Sequence, residues 1–315
     1  MYLQGYRSTL ISFLLVCSTS TYADNQTNAH ADTKSSNMDK NPKISVDRTL
    51  TGFEGVNEAL SLWEFGVGGG AIDVPNYPAS SQRNSIVAAA PYVVYRGDMF
   101  RVGDGNGVRA VVVDKKNLEI GMSFGGAFSA DSENGTAREG MPELDFLLEI
   151  GPQAIYKLKD YKFENGGNAR LNARLQFRSA FSTDFSTINN RGYVLNPVIT
   201  YQQRGRLFEG TALSTSIGML FATERFHDYF YQVSEQFVTD NRPAYDAKGG
   251  YLGTRLALNV SFPMSENIRG FVGVGAQLHS GSANEDSPLY EKDITYSASI
   301  GFVWRLYKSD RKAAW

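Results

Sequence analysis

Apolar and polar residues alternate along most of the chain, and this period of two predicts β-strands. The clearest segment, 169–181, is much longer than the ~5 to 6 residues of a typical soluble strand. It matches the ~9 to 11 residues of a tilted strand that crosses a membrane. One of its faces is polar and the other is apolar. The polar face carries Arg170, Asn172, Arg174, Gln176 and Arg178, and the apolar face carries Leu171, Ala173, Leu175, Phe177 and Phe181.

Soluble β-sandwiches also contain amphipathic strands, so the alternation by itself leaves two architectures open. Three further features favour a membrane barrel. Aromatic residues recur near the predicted strand ends, as in an interfacial girdle, and short connections alternate with longer ones. The polar faces carry Arg, Gln, Asn, Ser and Gly, which suit a wet lumen and would be costly in a dry core. We therefore expect an all-β fold, an antiparallel transmembrane β-barrel.

The alternating segments predict twelve strands, an even number as in bacterial barrels. The weak region is 98–113, where two short strands flank the glycine-rich turn 103–107. If that region is a loop excursion, the number of strands is ten. The predicted strands are 62–74, 85–95, 98–103, 107–113, 118–130, 144–158, 169–182, 192–203, 210–222, 250–262, 268–279 and 293–307.

The first residues have the features of an export signal. Arg7 precedes the short apolar run 9–16, and small residues follow up to Ala23. We expect cleavage after Ala23, so that 1–23 is a signal peptide and the single cysteine, Cys17, is lost with it. In that division 24–60 is a polar periplasmic arm, 61–307 is the outer-membrane barrel, and 308–315 is a short C-terminal tail.

Charge and composition exclude several other classes. The chain has 31 Lys and Arg against 33 Asp and Glu, so it lacks the basic excess of a nucleic-acid binder. We expect no metal site, because two histidines, His227 and His279, without cysteine are too few for a structural one. We expect no cofactor either. The glycine pattern at 66–71 is followed by Pro75 and Pro78, which exclude the helix that dinucleotide binding needs.

One arrangement raises the question of hydrolase chemistry. His279 precedes Ser280 at a predicted strand end, and Glu285, Asp286 and Ser287 lie in the loop that follows. A hydrolase needs a histidine beside a nucleophile such as serine. Polar residues on a loop surface are the stronger interpretation, so we expect no catalytic residue and no enzyme.

Five stretches, in this order and spacing, resemble a known family: 91–101 (PYVVYRGDMFR), 137–145 (AREGMPELD), 148–152 (LEIGP), 242–250 (RPAYDAKGG) and 286–289 (DSPL). Together they resemble the MltA-interacting protein (MipA/OmpV) family of outer-membrane proteins, over about 62–307. The resemblance implies a non-enzymatic role as a scaffold that links a lytic transglycosylase to a peptidoglycan synthase. Other members resemble surface adhesins or antigens.

A stripe of arginines on the predicted lumen face of 169–182 is the first candidate site. It could favour anions in a pore, or it could pair with acidic residues such as Asp145 and Glu149 on the preceding strand. We favour pairing. The stripe consists of Arg170, Arg174 and Arg178.

Two outer loops are the other candidate sites. The family's most recognisable stretch lies in the first and either folds that loop against the rim or forms a contact surface. The second loop, 223–249, is unusually aromatic and either caps the barrel or binds a partner. The first group is Arg138, Glu139, Gly140, Met141 and Pro142, and the second is Phe226, Tyr229, Phe230, Tyr231 and Phe237.

The functional expectation is therefore a scaffold for peptidoglycan-remodelling enzymes in the outer membrane of a Gram-negative bacterium. The expected partners are outer-membrane lipid and lipopolysaccharide, a lytic transglycosylase and a peptidoglycan synthase, and no nucleic acid. The alternative is an outer-membrane channel or a surface adhesin or antigen.

Overall fold

The computed structural model describes residues 50, 52–55, 58–97, 100–102, 108–115, 117–132 and 135–313. For 100–102 and 108–115 it describes the backbone. The expected signal peptide, 1–23, and most of the expected arm, 24–49, lie outside the described residues.

Twelve antiparallel strands close into a barrel, in which each strand pairs with its neighbours in sequence and β1 pairs with β12. The predicted antiparallel barrel is thus confirmed. The strands are β1 (Trp63–Pro75), β2 (Arg83–Arg96), β3 (Phe100–Val102), β4 (Val108–Lys115), β5 (Leu118–Ala127), β6 (Phe146–Lys162), β7 (Asn168–Thr183), β8 (Ile188–Arg204), β9 (Ala212–Ala222), β10 (Gly250–Pro263), β11 (Ile268–Leu278) and β12 (Ile294–Lys308).

The two faces of the sheet separate by polarity, as the alternation predicts. The outer face is a continuous apolar band that includes Phe65, Val67, Ile120, Leu148, Ile150, Leu175, Phe177, Leu195, Ile199, Ile217, Leu256, Leu258, Val272, Val274, Ile300, Phe302 and Trp304, all exposed on the isolated chain. The inner face holds buried polar side chains, among them Glu64, Arg96, Glu119, Glu149, Gln153, Arg170, Asn172, Gln176, Arg178, Asn196, Gln202, Arg204, Arg269 and Arg305.

The barrel has two unlike ends. At the terminal end, where β1 begins and β12 ends, the connections 163–167, 205–211 and 264–267 are short. At the loop end, the connections 128–145, 223–249 and 279–293 are long. The loop 223–249 contains α1 (Glu224–Tyr231) and a single 3-10 turn, Glu235–Phe237. No helix in the described part of the chain is both long and apolar enough to cross a membrane.

One connection differs from the sequence-based expectation. The segment between 183 and 191 reads as a long loop, but β7 continues to Thr183 and β8 already begins at Ile188. Asp184 closes the four-residue turn, because its Oδ1 accepts hydrogen bonds from the backbone N–H of Ser186 at 3.0 Å and of Thr187 at 2.7 Å. The polar residues of this region therefore form a hairpin tip instead of a loop.

Candidate functional site

The aromatic loop folds onto the loop end of the barrel. Phe226, Tyr229, Phe230 and Tyr231 are buried there, and Phe237 packs against them. These rings form one cluster with side chains from three other connections, which we call the loop cluster. It includes Tyr77, Met141, Leu144, Val233, Ala247 and Leu289.

Tyrosine hydroxyls tie the loop cluster to backbone carbonyls of distant connections. Tyr231 donates to the carbonyl of Pro78 at 2.8 Å, and Tyr229 donates to the carbonyl of Asp145 at 2.8 Å. Burial raises the pKa of the Tyr229 hydroxyl to about 12 and that of Tyr231 well above its ordinary value. Both hydroxyls therefore stay protonated and keep donating at any pH the cell reaches.

The family stretch 138–142 lies in the same cluster. Arg138 is buried, and its guanidinium donates to the carbonyl of Phe230 at 3.1 Å and to that of Pro142 at 3.0 Å. It also lies 5.9 Å from the ring centre of Tyr77. Burial lowers the pKa of Arg138, which nevertheless stays charged. This one side chain thus joins the two loops that sequence analysis singled out separately.

The other residues of the stretch shape the loop around Arg138. Gly140 has a φ of +75°, a left-handed conformation that glycine adopts without strain, and Met141 is buried in the loop cluster. Glu139 accepts a hydrogen bond from the backbone N–H of Gly135 at 2.8 Å through its Oε2. Its carbonyl accepts another from Arg242, 2.9 Å away.

Both histidines of the barrel region are buried and hold loops together. Nε2 of His279 accepts hydrogen bonds from the backbone N–H of Ala79 at 3.1 Å and from Oγ1 of Thr295 at 2.9 Å. Nδ1 of His227 accepts from Nδ2 of Asn284 at 2.7 Å. Desolvation lowers the pKa of both imidazoles, that of His279 to about 4. Within the described residues, no hydrogen bond joins either imidazole to a serine hydroxyl.

A chamber of about 550 Å³ lies inside the barrel below the loop cluster. Phe226, Phe230 and Leu252 form its roof. Its polar side is formed by Glu149, Gln176, Arg178, Asn196 and Arg255, and its apolar side by Ile72, Val74, Ala127 and Leu147.

The arginine stripe of β7 lies inside the barrel, and Arg170 and Arg178 form ion pairs with described carboxylates. Nε of Arg178 lies 2.7 Å from Oε2 of Glu149, and Nε of Arg170 lies 2.7 Å from Oδ1 of Asp160. Glu149 is a partner that the sequence pattern predicts, whereas Asp160 is a partner that it does not predict. Asp145 is instead near the loop cluster, where its carbonyl accepts from Tyr229.

Arg255 is a chamber residue that sequence analysis did not single out. The alternation in 250–262 puts Arg255 on the polar face of the strand, and this is the feature of the sequence that predicts a lumen position for it. Its guanidinium donates to Oε1 of Gln277 at 3.3 Å, and among the described residues no carboxylate forms an ion pair with it. It remains accessible inside the barrel because it faces the chamber.

The terminal end of the barrel is also filled. The ring of Phe53 lies under the guanidinium of Arg305, 4.4 Å from its Cζ, and against Tyr92. Arg204 donates to the carbonyl of Phe53 at 3.1 Å, and Arg305 pairs with Glu54 at 2.9 Å. The segment before β1 is therefore held inside the mouth of the barrel.

A buried ion pair lies beside this segment. Nη1 of Arg96 lies 2.7 Å from Oε1 of Glu64, and the same nitrogen donates to the carbonyl of Ser61 at 2.8 Å. No group of three or more His, Cys, Asp or Glu side chains able to hold a metal ion is found within the described part of the chain. The site therefore offers hydrogen bonds, fixed charges and an enclosed volume.

A closed antiparallel barrel with an apolar outer band and a polar interior defines the class: this is an outer-membrane β-barrel protein. Residues 67–306 match the family model described as MltA-interacting protein MipA. The chain belongs to the MltA-interacting protein family.

Solved structures give weak likenesses, and no curated protein matches the chain. A bacterial polysaccharide outer-membrane secretin is 8% identical over 79% of this chain and 100% of that one, with a TM-score of 0.35. Salmonella typhi OmpF in complex with daunomycin is 8% identical over 78% of this chain and 97% of that one, with a TM-score of 0.31. Likenesses this weak carry nothing about function.

Proposed function

We propose that this barrel is a non-enzymatic scaffold that holds peptidoglycan-remodelling enzymes, a lytic transglycosylase and a peptidoglycan synthase, at the outer membrane. Family membership supports this role, since the family is described by its interaction with MltA. In the proposed orientation the terminal end faces the periplasm and the loop end faces outward.

One observation favours the terminal end as the docking surface. Its short turns expose large apolar side chains: Phe208 is 76% exposed, Met264 63% and Leu207 51%. Side chains of this kind next to charged residues are typical of protein contact surfaces. Arg206 lies beside them, with its guanidinium 4.1 Å from the ring centre of Phe163.

Cross-linking in intact envelopes tests the scaffold. We expect the wild-type protein to recover a lytic transglycosylase and a peptidoglycan synthase, and the variant Leu207→Ser/Phe208→Ser to lose most of this recovery. The matched control is Phe185→Ser, which removes an equally exposed ring (75%) from the loop end. Recovery of neither enzyme by the wild-type protein, or equal recovery by the two variants, would contradict the proposal.

The location proposal has its own measurement. We propose that the chain is exported through a cleaved signal peptide, 1–23, into the outer membrane of a Gram-negative bacterium. Intact-mass analysis of the purified protein is expected to give a chain that begins at Asp24. A chain that retains the first 23 residues would contradict cleavage but not the barrel.

The channel alternative has less support. The loop cluster covers one end of the lumen, and Phe53 with Glu54 fills the other. A surface adhesin would use the loop end, where the aromatic rings of the loop cluster are buried among themselves.

A further inference from the structure

The barrel wall has a seam between β2 and β5. β2 is 14 residues long, but only Tyr95 and Arg96 pair with β3, and the pairing of β5 with β4 stops at Gly121. Towards the loop end, the facing edges of β2 and β5 have no ladder partner among the described residues.

The seam connects the membrane side of the wall with the chamber. Gly125, Gly126 and Ala127 of β5 line the chamber and are exposed, as are residues 88–91 of β2. At the loop end the gap closes, where Nδ2 of Asn84 donates to the carbonyl of Ser129 at 2.9 Å. Backbone groups without a hydrogen-bond partner cannot face hydrocarbon, so edges without a ladder partner among the described residues favour water or a bound molecule beside them.

Across the barrel from the seam lies β10, six strands further around the wall from β4, and it places Arg255 in the chamber. The neighbouring Arg178 is already neutralised by Glu149 at 2.7 Å. Of the three charges, Arg255 and Arg178 are positive and Glu149 is negative, so the described lining of the chamber carries an excess positive charge. A guanidinium that lacks a carboxylate partner in a confined space favours an oxyanion.

The wall beside the seam is apolar. Ile72 and Val74 of β1 face the chamber, and the roof above them consists of Phe226 and Phe230. A volume of about 550 Å³ lies within the range of small-molecule sites. The chamber therefore has an apolar surface next to the seam and the guanidinium of Arg255 on the opposite side of the barrel.

We propose that the chamber binds a single-chain amphiphile with an oxyanion head, a carboxylate or a phosphate, which enters sideways from the membrane through the seam. The head lies at Arg255, and the alkyl chain lies along Ile72 and Val74 beneath the loop cluster. This ligand site is independent of the scaffold role and of the terminal-end docking surface.

The first test uses the unmodified full-length protein in nanodiscs of phosphatidylcholine, with empty nanodiscs subtracted. Equilibrium dialysis measures binding of dodecanoate, dodecyl phosphate and dodecyltrimethylammonium, which share one alkyl chain. We expect saturable binding of one or both anions and at least tenfold weaker binding of the cation. A preference for the carboxylate or for the phosphate separates a fatty-acid-like from a phospholipid-like ligand. Equal binding of cation and anions, or no saturable binding of either anion, would overturn the proposal.

The second test uses substitutions in the chamber. Arg255→Gln is expected to weaken anion binding at least tenfold, and Arg255→Lys to restore part of it. Arg206→Gln removes a charge from the terminal end instead and is expected to leave binding unchanged. Unaltered binding by a folded Arg255→Gln protein, shown folded by its heat-modifiable gel mobility, would contradict the assigned head position.

The seam itself is tested by a pair of neighbouring substitutions. Ala88 pairs with Gly70 on the chamber-facing side of β2, and Ala89 faces outward. Ala88→Trp is expected to slow association of the anion several-fold, whereas Ala89→Trp is not. Equal association rates for the two variants would exclude access through the seam.

Discussion

At the scale of single residues, the barrel contains charges whose removal from water is compensated only by a partner. Glu64 and Arg96 are both buried, and Oε1 and Nη1 lie 2.7 Å apart. A buried pair of this kind adds little net stability, but the loss of one member leaves an uncompensated charge. Substitution at this pair is therefore expected to be strongly non-additive.

The first prediction follows from this pair. Arg96→Met is expected to lower the free energy of unfolding by at most about 3–5 kcal/mol, because Glu64 then stays buried with the more distant Arg305, 4.0 Å away, as its remaining cation among the described residues. The double variant Glu64→Leu/Arg96→Met is expected to recover most of that loss. Urea unfolding monitored by tryptophan fluorescence measures both, since Trp63 lies beside the pair in sequence. Additive losses in the double variant would contradict the argument.

Arg138 supports the second prediction. Its guanidinium reaches two carbonyls, those of Phe230 and Pro142, and a lysine ammonium lacks the planar fork that serves both. Arg138→Lys is expected to lower the free energy of local opening of the loop cluster by roughly 2 kcal/mol, since hydrogen bonds to charged groups contribute about 1.5–3 kcal/mol. Hydrogen exchange of 223–249 measures this, with Arg206→Lys at the other end as the control. Unchanged exchange would show that Arg138 does not hold the loop.

At the scale of elements, the histidines make the loop end sensitive to acid. The pKa of His279 falls from its ordinary 6.5 to about 4 in the folded protein, mainly because burial disfavours the imidazolium. Its contribution to stability is therefore complete above pH 6.5 and is lost as the pH falls towards 4. Protonated Nε2 also cannot accept the hydrogen bonds from Ala79 and Thr295.

The third prediction is that the loop end loosens in mild acid. Between pH 6.5 and 4 the loss from His279 is expected to reach about 3 kcal/mol, from ~1.4 kcal/mol for each unit of pKa difference. Hydrogen exchange of 279–293 and of 223–249 is expected to accelerate over that range, while exchange in β7 does not change. His279→Gln, which removes one of the two titrating imidazoles, is expected to reduce the dependence, and the part that remains is expected to vanish when His227→Gln is added. A dependence that persists in the double variant would assign it to other groups.

The strands show what a sequence pattern can and cannot predict. Alternation gave the twelve strands to within a few residues, because each strand's polarity is set by lipid on one side and a wet lumen on the other. In 250–262 the alternation puts Leu252 on the same apolar face as Leu256 and Leu258, which predicts that it faces lipid. A register shift between Tyr251 and Gly253 instead turns this residue into the loop cluster. Beyond a bulge, every residue of the strand points to the opposite face of the sheet. The residues around this bulge show no pattern from which its position could be predicted.

Contacts between loops are less predictable still. Arg138 and Phe230 were both singled out, yet their contact joins residues 92 positions apart and exists only once the barrel has closed. Arg255 has the same parity as other lumen residues, but whether a carboxylate of the described residues forms an ion pair with it depends on which strands face each other across the barrel. Composition and period cannot show such relations, because they depend on the closed shape.

At the scale of the whole molecule, the barrel is closed at both ends by its own chain. The loop cluster covers the loop end, and the segment around Phe53 is held in the terminal end by Arg204 and Arg305. The open part of the lumen is therefore an internal chamber, with the ion pair of Arg178 and Glu149 at its side.

The fourth prediction follows from the two closures in series. In planar bilayers the wild-type protein is expected to show no steady open-channel conductance, because an ion must pass both the loop cluster and Phe53. Removing residues 225–248 alone is expected to leave the barrel closed, since Phe53 still fills the terminal end. Combining this deletion with Phe53→Gly is expected to give a steady conductance. Replacing Arg255 by glutamine in that opened barrel should then lower its preference for anions over cations, because the chamber loses its excess positive charge. Steady conductance by the wild-type protein would show that the two closures do not seal the lumen, and it would favour a channel over a scaffold.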